Sequence, residues 1–276
     1  MQTPPLMTDL AALARNRVRA QRQGAELFLQ EEAADEIKER LAEVNRTFTK
    51  PLIVSGFGEP WQSLWPEARR IDDTDLLDAE PGAHDLVIHA FGLHWSNDPV
   101  GQLVQCRRAL VPDGLFMAVM FGGRSLAELR AALAEAESRQ SGGLSLRVLP
   151  MAEIRDLGGL LQRAGFALPV ADSAIKTVTY RTAFHLVSDL RAMGEGNALA
   201  ARSRRWPGRD LFPEAAHVYA KNFPAEDGRI RATFEMIFLT GWAPDESQQK
   251  PLRPGSAARR LADALGAPRD ISGKRI

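Results

Sequence analysis

HDLVIHAFGLHWSNDPVGQLVQCRRALVPDGLFMAVMFGG, residues 84–123, is the stretch that decides the fold. Its run Leu86-Val87-Ile88 is short, apolar and rich in β-branched side chains, as a buried strand requires. Asp98 followed by Pro99 is typical of a helix start, and Leu115 to Met120 forms a second apolar run. Two such runs joined by a helix predict a βαβ unit and therefore a parallel sheet.

The composition is that of an ordinary globular protein. The chain has 276 residues, of which 45% are apolar and 25% charged, with a formal net charge of +0. Without net charge we expect no general attraction to nucleic acid, and no apolar run approaches the roughly 20 residues of a membrane span. The one cysteine, Cys106, excludes an internal disulfide and a cysteine-based metal site, and its helical position predicts a buried thiol.

The N-terminal segment is predicted to consist of two helices, at residues 8–22 and 25–44. The first carries arginines that we interpret as a solvent-exposed basic face: Arg15, Arg17, Arg19 and Arg22. No apolar core of a signal peptide accompanies them. They could also mimic a mitochondrial presequence, but the chain is rich in alanine and arginine throughout, so a cytoplasmic bacterial protein is expected. We expect the chain to divide into N-terminal helices at 1–45 that cover the pocket, a main domain at 46–244 and a polar tail at 245–276.

The pattern DLV, LHW, NDP, CRRAL and PDG within residues 84–123 resembles the second half of class I S-adenosylmethionine (SAM) methyltransferases. Further along, MFGGRSLAELRAALAEAE, RDLGGLLQRAGF and LRAMGEGNAL are similar to one subfamily. It comprises the methyltransferase-like assembly factor of respiratory complex I and its bacterial relatives; the biotin-pathway malonyl-carrier-protein methyltransferase is a more distant relative. The resemblance covers roughly residues 13–256 and implies a three-layer α/β sandwich with a mostly parallel, Rossmann-like sheet.

The resemblance also implies a SAM site at the loop after the first strand. In the family this loop is glycine-rich, and an acid at its start helps to fix the ammonium group of SAM. Gly56 and Gly58 match two of its glycines, while Val54 or Ser55 stands at the acid's position. We therefore expect Gly56 and Gly58 to contact the cofactor.

One βα unit is predicted to be missing from the first half of the sheet. Only 25 residues lie between Gly58 and His84, enough for a short helix and one strand, whereas the family has two strands there. The missing strand would carry the acid that holds the ribose hydroxyls. Asp73 matches the acid that meets the adenine amino group. Trp61 and Trp65 are expected to pack into the vacated space, the alternative being stacking on adenine.

The loop after the Asp-Leu-Val strand is the candidate catalytic region. The resemblance places Phe91, Gly92 and Leu93 at the cofactor and His94 at the methyl-transfer site, where its imidazole could act as a base or hydrogen-bond donor. The alternative is that His94 is a packing residue. Arg124 could bind a substrate carboxylate or cap a helix, and residues 193–197 form either a plain turn or a loop facing the substrate.

These residues leave three functions open. The first is a SAM-dependent methyltransferase whose cofactor site is degraded. The second is a non-catalytic scaffold or assembly factor whose protein client is a respiratory complex I subunit. The third is a protein-modifying enzyme of the same fold, such as an arginine hydroxylase. No histidine pair has metal-ligand spacing, so no metal site is expected.

Overall fold

A six-stranded sheet forms the centre of the protein in the computed structural model, which describes residues 5–205 and 207–248. Its strands are β1 Pro51–Ser55, β2 Arg69–Ile71, β3 His84–Ala90, β4 Leu110–Phe121, β5 Ala167–Tyr180 and β6 Ile230–Trp242. They lie in the order β2-β1-β3-β4-β6-β5. The first four are parallel neighbours, and β6 runs antiparallel to both β4 and β5. The mostly parallel sheet predicted from the sequence is confirmed.

Helices cover both faces of this sheet. They are α1 Leu10–Gln23, α2 Phe28–Glu43, α3 Glu59–Leu64, α4 Pro99–Ala109, α5 Ala127–Ser141, α6 Ile154–Arg163, α7 Ala183–Ala192 and α8 Leu211–Asn222. The α4 helix starts as the sequence predicts, because the Asp98 side chain accepts a hydrogen bond from the Gly101 N–H and Pro99 opens the first turn.

Alternation along the strands separates two apolar cores. On β3, Leu86 and Ile88 face the core shared with α2, α5 and α8, whereas Val87 faces the core shared with α4 and α6. The Cys106 thiol is fully buried in the second core, as predicted, and its pKa is raised to about 12 because burial disfavours the thiolate. The three-layer α/β sandwich is thus confirmed.

The first half of the sheet is short by one strand, as predicted. Only α3 and β2 lie between β1 and β3, and β2 pairs with β1 over three residues at the sheet edge. Trp61 of α3 fills the adjoining space: its indole is fully buried, stacks on Trp65 and donates from Nε1 to Gln30 Oε1 at 2.8 Å. Both tryptophans therefore pack as the sequence interpretation expected.

Two features of the second half of the fold join distant parts of the chain. Residues 167–180 form one 14-residue strand, β5, because β6 is long enough to pair along it. Ser125 Oγ exchanges hydrogen bonds with the backbone of Glu235, and Glu128 accepts hydrogen bonds from Thr233, so both tie the start of α5 to β6.

The residues up to Pro244 belong to one compact unit. Residues 245–248 begin a second unit and form a turn in which the Asp245 carboxylate accepts hydrogen bonds from Ser247. The rest of the predicted polar tail, residues 249–276, lies outside the described residues. The division between a covering segment at 1–45 and a main domain at 46–244 stays a prediction.

Candidate functional site

Four loops meet at the carboxyl edge of the parallel strands, where α/β folds bind ligands. They follow β1 at residues 55–58, β2 at 72–75, β3 at 91–95 and α7 at 193–197. The structure thereby brings Gly56, Asp73 and Gly92 together, although they are far apart in sequence. We call the space among these three residues the crevice.

The guanidinium group of Arg17 occupies the crevice. Its Nη1 and Nη2 donate to the two carboxylate oxygens of Asp73 at 2.6 and 2.8 Å. A methyl group placed on Gly56 would lie 2.3 Å from Arg17 Nη1, and one placed on Gly92 would lie 2.3 Å from Asp73 Oδ2. The ion pair therefore packs directly against both glycine backbones.

Arg17 corrects the expectation that the arginines of the first helix are solvated. Its side chain is only 12% exposed, and that of Asp73 is 7% exposed. The cause is helical spacing. Arg17 lies four residues after the buried Leu13 and three residues before the buried Ala20, so it is on the same inward face of the helix. The same spacing is visible in the sequence and would have assigned Arg17, unlike the exposed Arg15 and Arg19, to the inward face.

The ion pair is strongly favoured in its charged form. Burial alone would raise the pKa of the Asp73 carboxyl group, but the hydrogen bonds and charge of Arg17 outweigh it, so this pKa lies below its ordinary value. Burial would lower the pKa of Arg17, yet Asp73, Glu195 and Asp72 keep it above its ordinary value. The Arg17 guanidinium is therefore held in place by opposite charge from three acids.

These residues do not fit SAM. Arg17 fills the place where the glycine-rich loop would meet the cofactor, and Asp73 already gives both carboxylate oxygens to Arg17. The cavity lined by Phe91, Phe121 and Glu195 has a volume of about 10 Å³, the space of a single water molecule. A methyl group on Gly58 would also meet Arg70 Nη1 at 2.2 Å.

Two other predicted site residues are embedded in the protein. Phe91 is buried with a φ of 47°, and its ring lies tilted against that of Phe121, at 4.8 Å between ring centroids. Leu93 faces the α4 side of the sheet, where it lines a separate cavity of about 150 Å³ with His94 and Met120. Their assignment to a cofactor site stays a prediction.

His94 and Trp95 converge on one carboxylate. Trp95 Nε1 donates to Glu195 Oε2 at 2.7 Å, and His94 Nε2 lies 3.2 Å from the same oxygen. The His94 side chain is fully buried, and its Nδ1 has no hydrogen-bond partner in the described structure. This geometry makes His94 a group that orients Glu195; its catalytic role stays a prediction.

Glu195 is the residue that the sequence interpretation did not single out within 193–197. Gly194 permits its position: the glycine has a φ of 76°, and a methyl group there would lie 2.7 Å from Phe57 Cζ. The side chain of Glu195 is 10% exposed. The sequence indicated this turn only through its two glycines, Gly194 and Gly196. They do not reveal which side chain of the turn points into the site.

A larger cavity of about 560 Å³ lies beside Trp95, Phe121 and Glu195. Its walls come from α5, α7, α8 and residues 147–151, and most of its lining is apolar. Residues 195–197 border it, and the hypothesis that this loop faces a substrate stays a prediction. Arg124, in contrast, is exposed and does not line this cavity; its backbone N–H donates to Glu235.

His89 makes the stability of this edge depend on pH. Its ring is fully buried, Nε2 lies 3.1 Å from Gln102 Oε1, and burial lowers its pKa to about 4. The unfolded chain takes up the proton near pH 6.5, so stability is full above that pH and falls as the pH drops toward 4. We expect His89 to account for about 3 kcal/mol of this loss.

Urea unfolding between pH 4 and 7 measures that contribution. The His89→Gln variant is expected to show a slope of unfolding free energy against pH that is shallower by about one proton. His217→Gln, which removes an exposed histidine, provides the control. Equal slopes for His89→Gln and the wild-type protein would contradict the assignment.

Within residues 5–205 and 207–248, no group of three or more His, Cys, Asp or Glu side chains could hold a metal ion. No helix among the same residues is both long and apolar enough to cross a membrane.

No protein-family model matches the chain. Among curated proteins, it is 35% identical over 220 residues to the mitochondrial arginine-hydroxylase NDUFAF5 of Danio rerio, covering 80% of this chain and 68% of that protein. The same protein of Dictyostelium discoideum is 41% identical over 183 residues, covering 66% and 42%. The malonyl-[acyl-carrier protein] O-methyltransferase of Laribacter hongkongensis is 32% identical over 183 residues, covering 66% and 59%.

Among solved structures, the chain is similar to the YcgJ protein of a Bacillus species. The sequences are 11% identical, the TM-score is 0.48, and the match covers 79% of this chain and 98% of that one. Against the curated relatives, the matched segment spans between 42% of the Dictyostelium protein and 68% of the Danio protein.

Proposed function

The chain belongs to the family of the arginine-hydroxylase NDUFAF5, and from that premise we propose that it is a methyltransferase-like protein that acts on a protein client without SAM in the crevice. The observation that supports this proposal is the position of the Arg17 guanidinium, which lies against Gly56 and is paired with Asp73. In this proposal Gly56 and Gly92 pack against the Arg17–Asp73 ion pair. None of the residues first assigned to the cofactor, Gly56, Gly58, Phe91, Gly92 and Leu93, then contacts SAM.

The client in this proposal is a subunit of respiratory complex I. The protein binds it in the cytoplasm of a bacterium. The family relationship supports this client. The carboxyl half of the fold supports a binding role, because α5, α7 and α8 enclose the large cavity. The half of the sheet that would bind the cofactor, in contrast, lacks one βα unit. The main function is therefore assembly of the client, by binding it.

A second function is modification of a client arginine, which the name of the NDUFAF5 relatives states for those proteins. One observation favours it here: the crevice already holds a guanidinium group, with Asp73 in bidentate contact and Glu195 nearby. If a client arginine replaced Arg17, Asp73 would bind its guanidinium. Glu195, oriented by His94 and Trp95, would supply the second negative charge.

Calorimetric titration with SAM and S-adenosylhomocysteine tests the absence of cofactor binding. The wild-type protein is expected to release no heat at about 1 mM ligand, because Arg17 fills the crevice and the ribose acid is missing. Arg17→Ala is expected to bind more ligand than Arg19→Ala, which removes an exposed arginine of the same helix. A micromolar dissociation constant for the wild-type protein would refute the proposal.

Mass spectrometry of complex I subunits separates the client functions. Subunits from a deletion strain and from the complemented strain are compared for arginines that carry one added oxygen or one added methyl group. An added oxygen only in the complemented strain supports arginine modification, and no difference together with lost assembly supports the binding function. An added methyl group would contradict both and restore the methyltransferase hypothesis.

A further inference from the structure

The large cavity beside Trp95 is mostly apolar, and none of the three residues that define the crevice lines it. It holds about 560 Å³, within the range of small-molecule sites. Its walls include Leu129 and Leu133 of α5, Val187 of α7 and Ala216 of α8. Such a lining favours a ligand whose buried part is a hydrocarbon.

The mouth of the cavity lies at Phe184 and Phe212. These side chains line the cavity and are 54% and 44% exposed, respectively. Large exposed aromatic side chains beside an apolar opening are a feature of interaction sites. A ligand can therefore enter between α7 and α8, the helices that carry them.

One charged group of the lining is available to a ligand. Glu195 is engaged by Trp95, and Arg147 Nη2 pairs with Glu137 at 2.7 Å. The guanidinium of Arg191 forms neither a hydrogen bond nor an ion pair with any residue in the described part of the chain, and it is exposed. A positive group at the rim of an apolar cavity selects a molecule that combines a hydrocarbon with an anion.

We propose that this cavity binds a fatty carboxylate, with the hydrocarbon chain inside and the carboxylate paired with Arg191. The site is separate from the crevice that Arg17 fills, and the proposal does not depend on the identity of the client. A guanidinium ligand is disfavoured at this rim by the charge of Arg191. A nucleotide is disfavoured because it would place many polar groups against leucine, valine and alanine side chains.

Titration of the full chain with octanoate, decanoate and dodecanoate, each kept monomeric, tests the site. Affinity is expected to rise about fourfold for each methylene added, the factor that corresponds to about 0.8 kcal/mol per buried methylene. Dodecanol, which lacks the anion, is expected to bind about tenfold more weakly than dodecanoate. Arg191→Gln is expected to remove that preference, whereas Arg181→Gln, an exposed arginine just before α7, is expected to retain it.

Val187→Trp locates the hydrocarbon chain. The larger side chain fills the cavity and is expected to abolish dodecanoate binding, while Ser188→Trp on the exposed side of α7 is expected to leave it unchanged. Circular dichroism and thermal unfolding establish that both variants are folded. The proposal is overturned if the wild-type protein binds none of the carboxylates at about 1 mM, if dodecanol binds as tightly as dodecanoate, or if folded Val187→Trp binds like the wild-type protein.

Discussion

Asp73→Ala is expected to lower the free energy of unfolding by about 3–5 kcal/mol, the usual result of removing one partner from a buried ion pair. The variant leaves the Arg17 guanidinium without its bidentate acceptor, while 12% of the Arg17 side chain is exposed and water reaches little of it. Urea-induced unfolding followed by circular dichroism measures the change. Asp72→Ala, which removes the exposed neighbouring carboxylate, is the matched control.

Replacement of both partners separates the interaction from the cost of an isolated buried charge. Replacing the pair together, as Arg17→Met with Asp73→Leu, is expected to cost less than Asp73→Ala alone, because no unpaired charge remains buried. If Asp73→Ala costs no more than Asp72→Ala, the ion pair does not hold α1 in the crevice. The account of the filled cofactor site would then be wrong.

Trp61→Ala is expected to destabilise the protein by about 3–5 kcal/mol, as removal of a fully buried large aromatic side chain does. Trp61 belongs to the core beside the shortened half of the sheet, and none of its surface is exposed to solvent. The same unfolding measurement applies. The loss is expected to exceed that of Trp65→Ala, because Trp65 is only partly buried.

Trp61→Phe examines the polar contribution of the same side chain. It keeps a buried ring but removes the Nε1 donor, leaving Gln30 Oε1 without this hydrogen bond. We expect a loss smaller than that of Trp61→Ala. If Trp65→Ala proves as costly as Trp61→Ala, Trp61 does not have the special role of filling the space left by the missing βα unit.

Most of the fold could be predicted because it depends on local patterns. The strand at Leu86, the helix start at Asp98 and the glycine end of α6 at Gly165 each follow from a few adjacent residues. The missing βα unit was predictable because the segment between Gly58 and His84 is too short for the two strands that the family has there. The pairing of Ser125 and Glu128 with β6 was not, since it joins residues more than 100 positions apart.

The site was predicted less well for the same reason. The sequence by itself determined the α/β sandwich, its short first half and the loops at the carboxyl edge of its strands. Only the tertiary structure decided that Arg17 reaches Asp73, 56 positions away, and that Glu195 meets Trp95, 100 positions away. Local propensity acts within a few residues, whereas a buried charge finds its partner through the packing of distant segments, so the contents of the crevice could not be read from motif spacing.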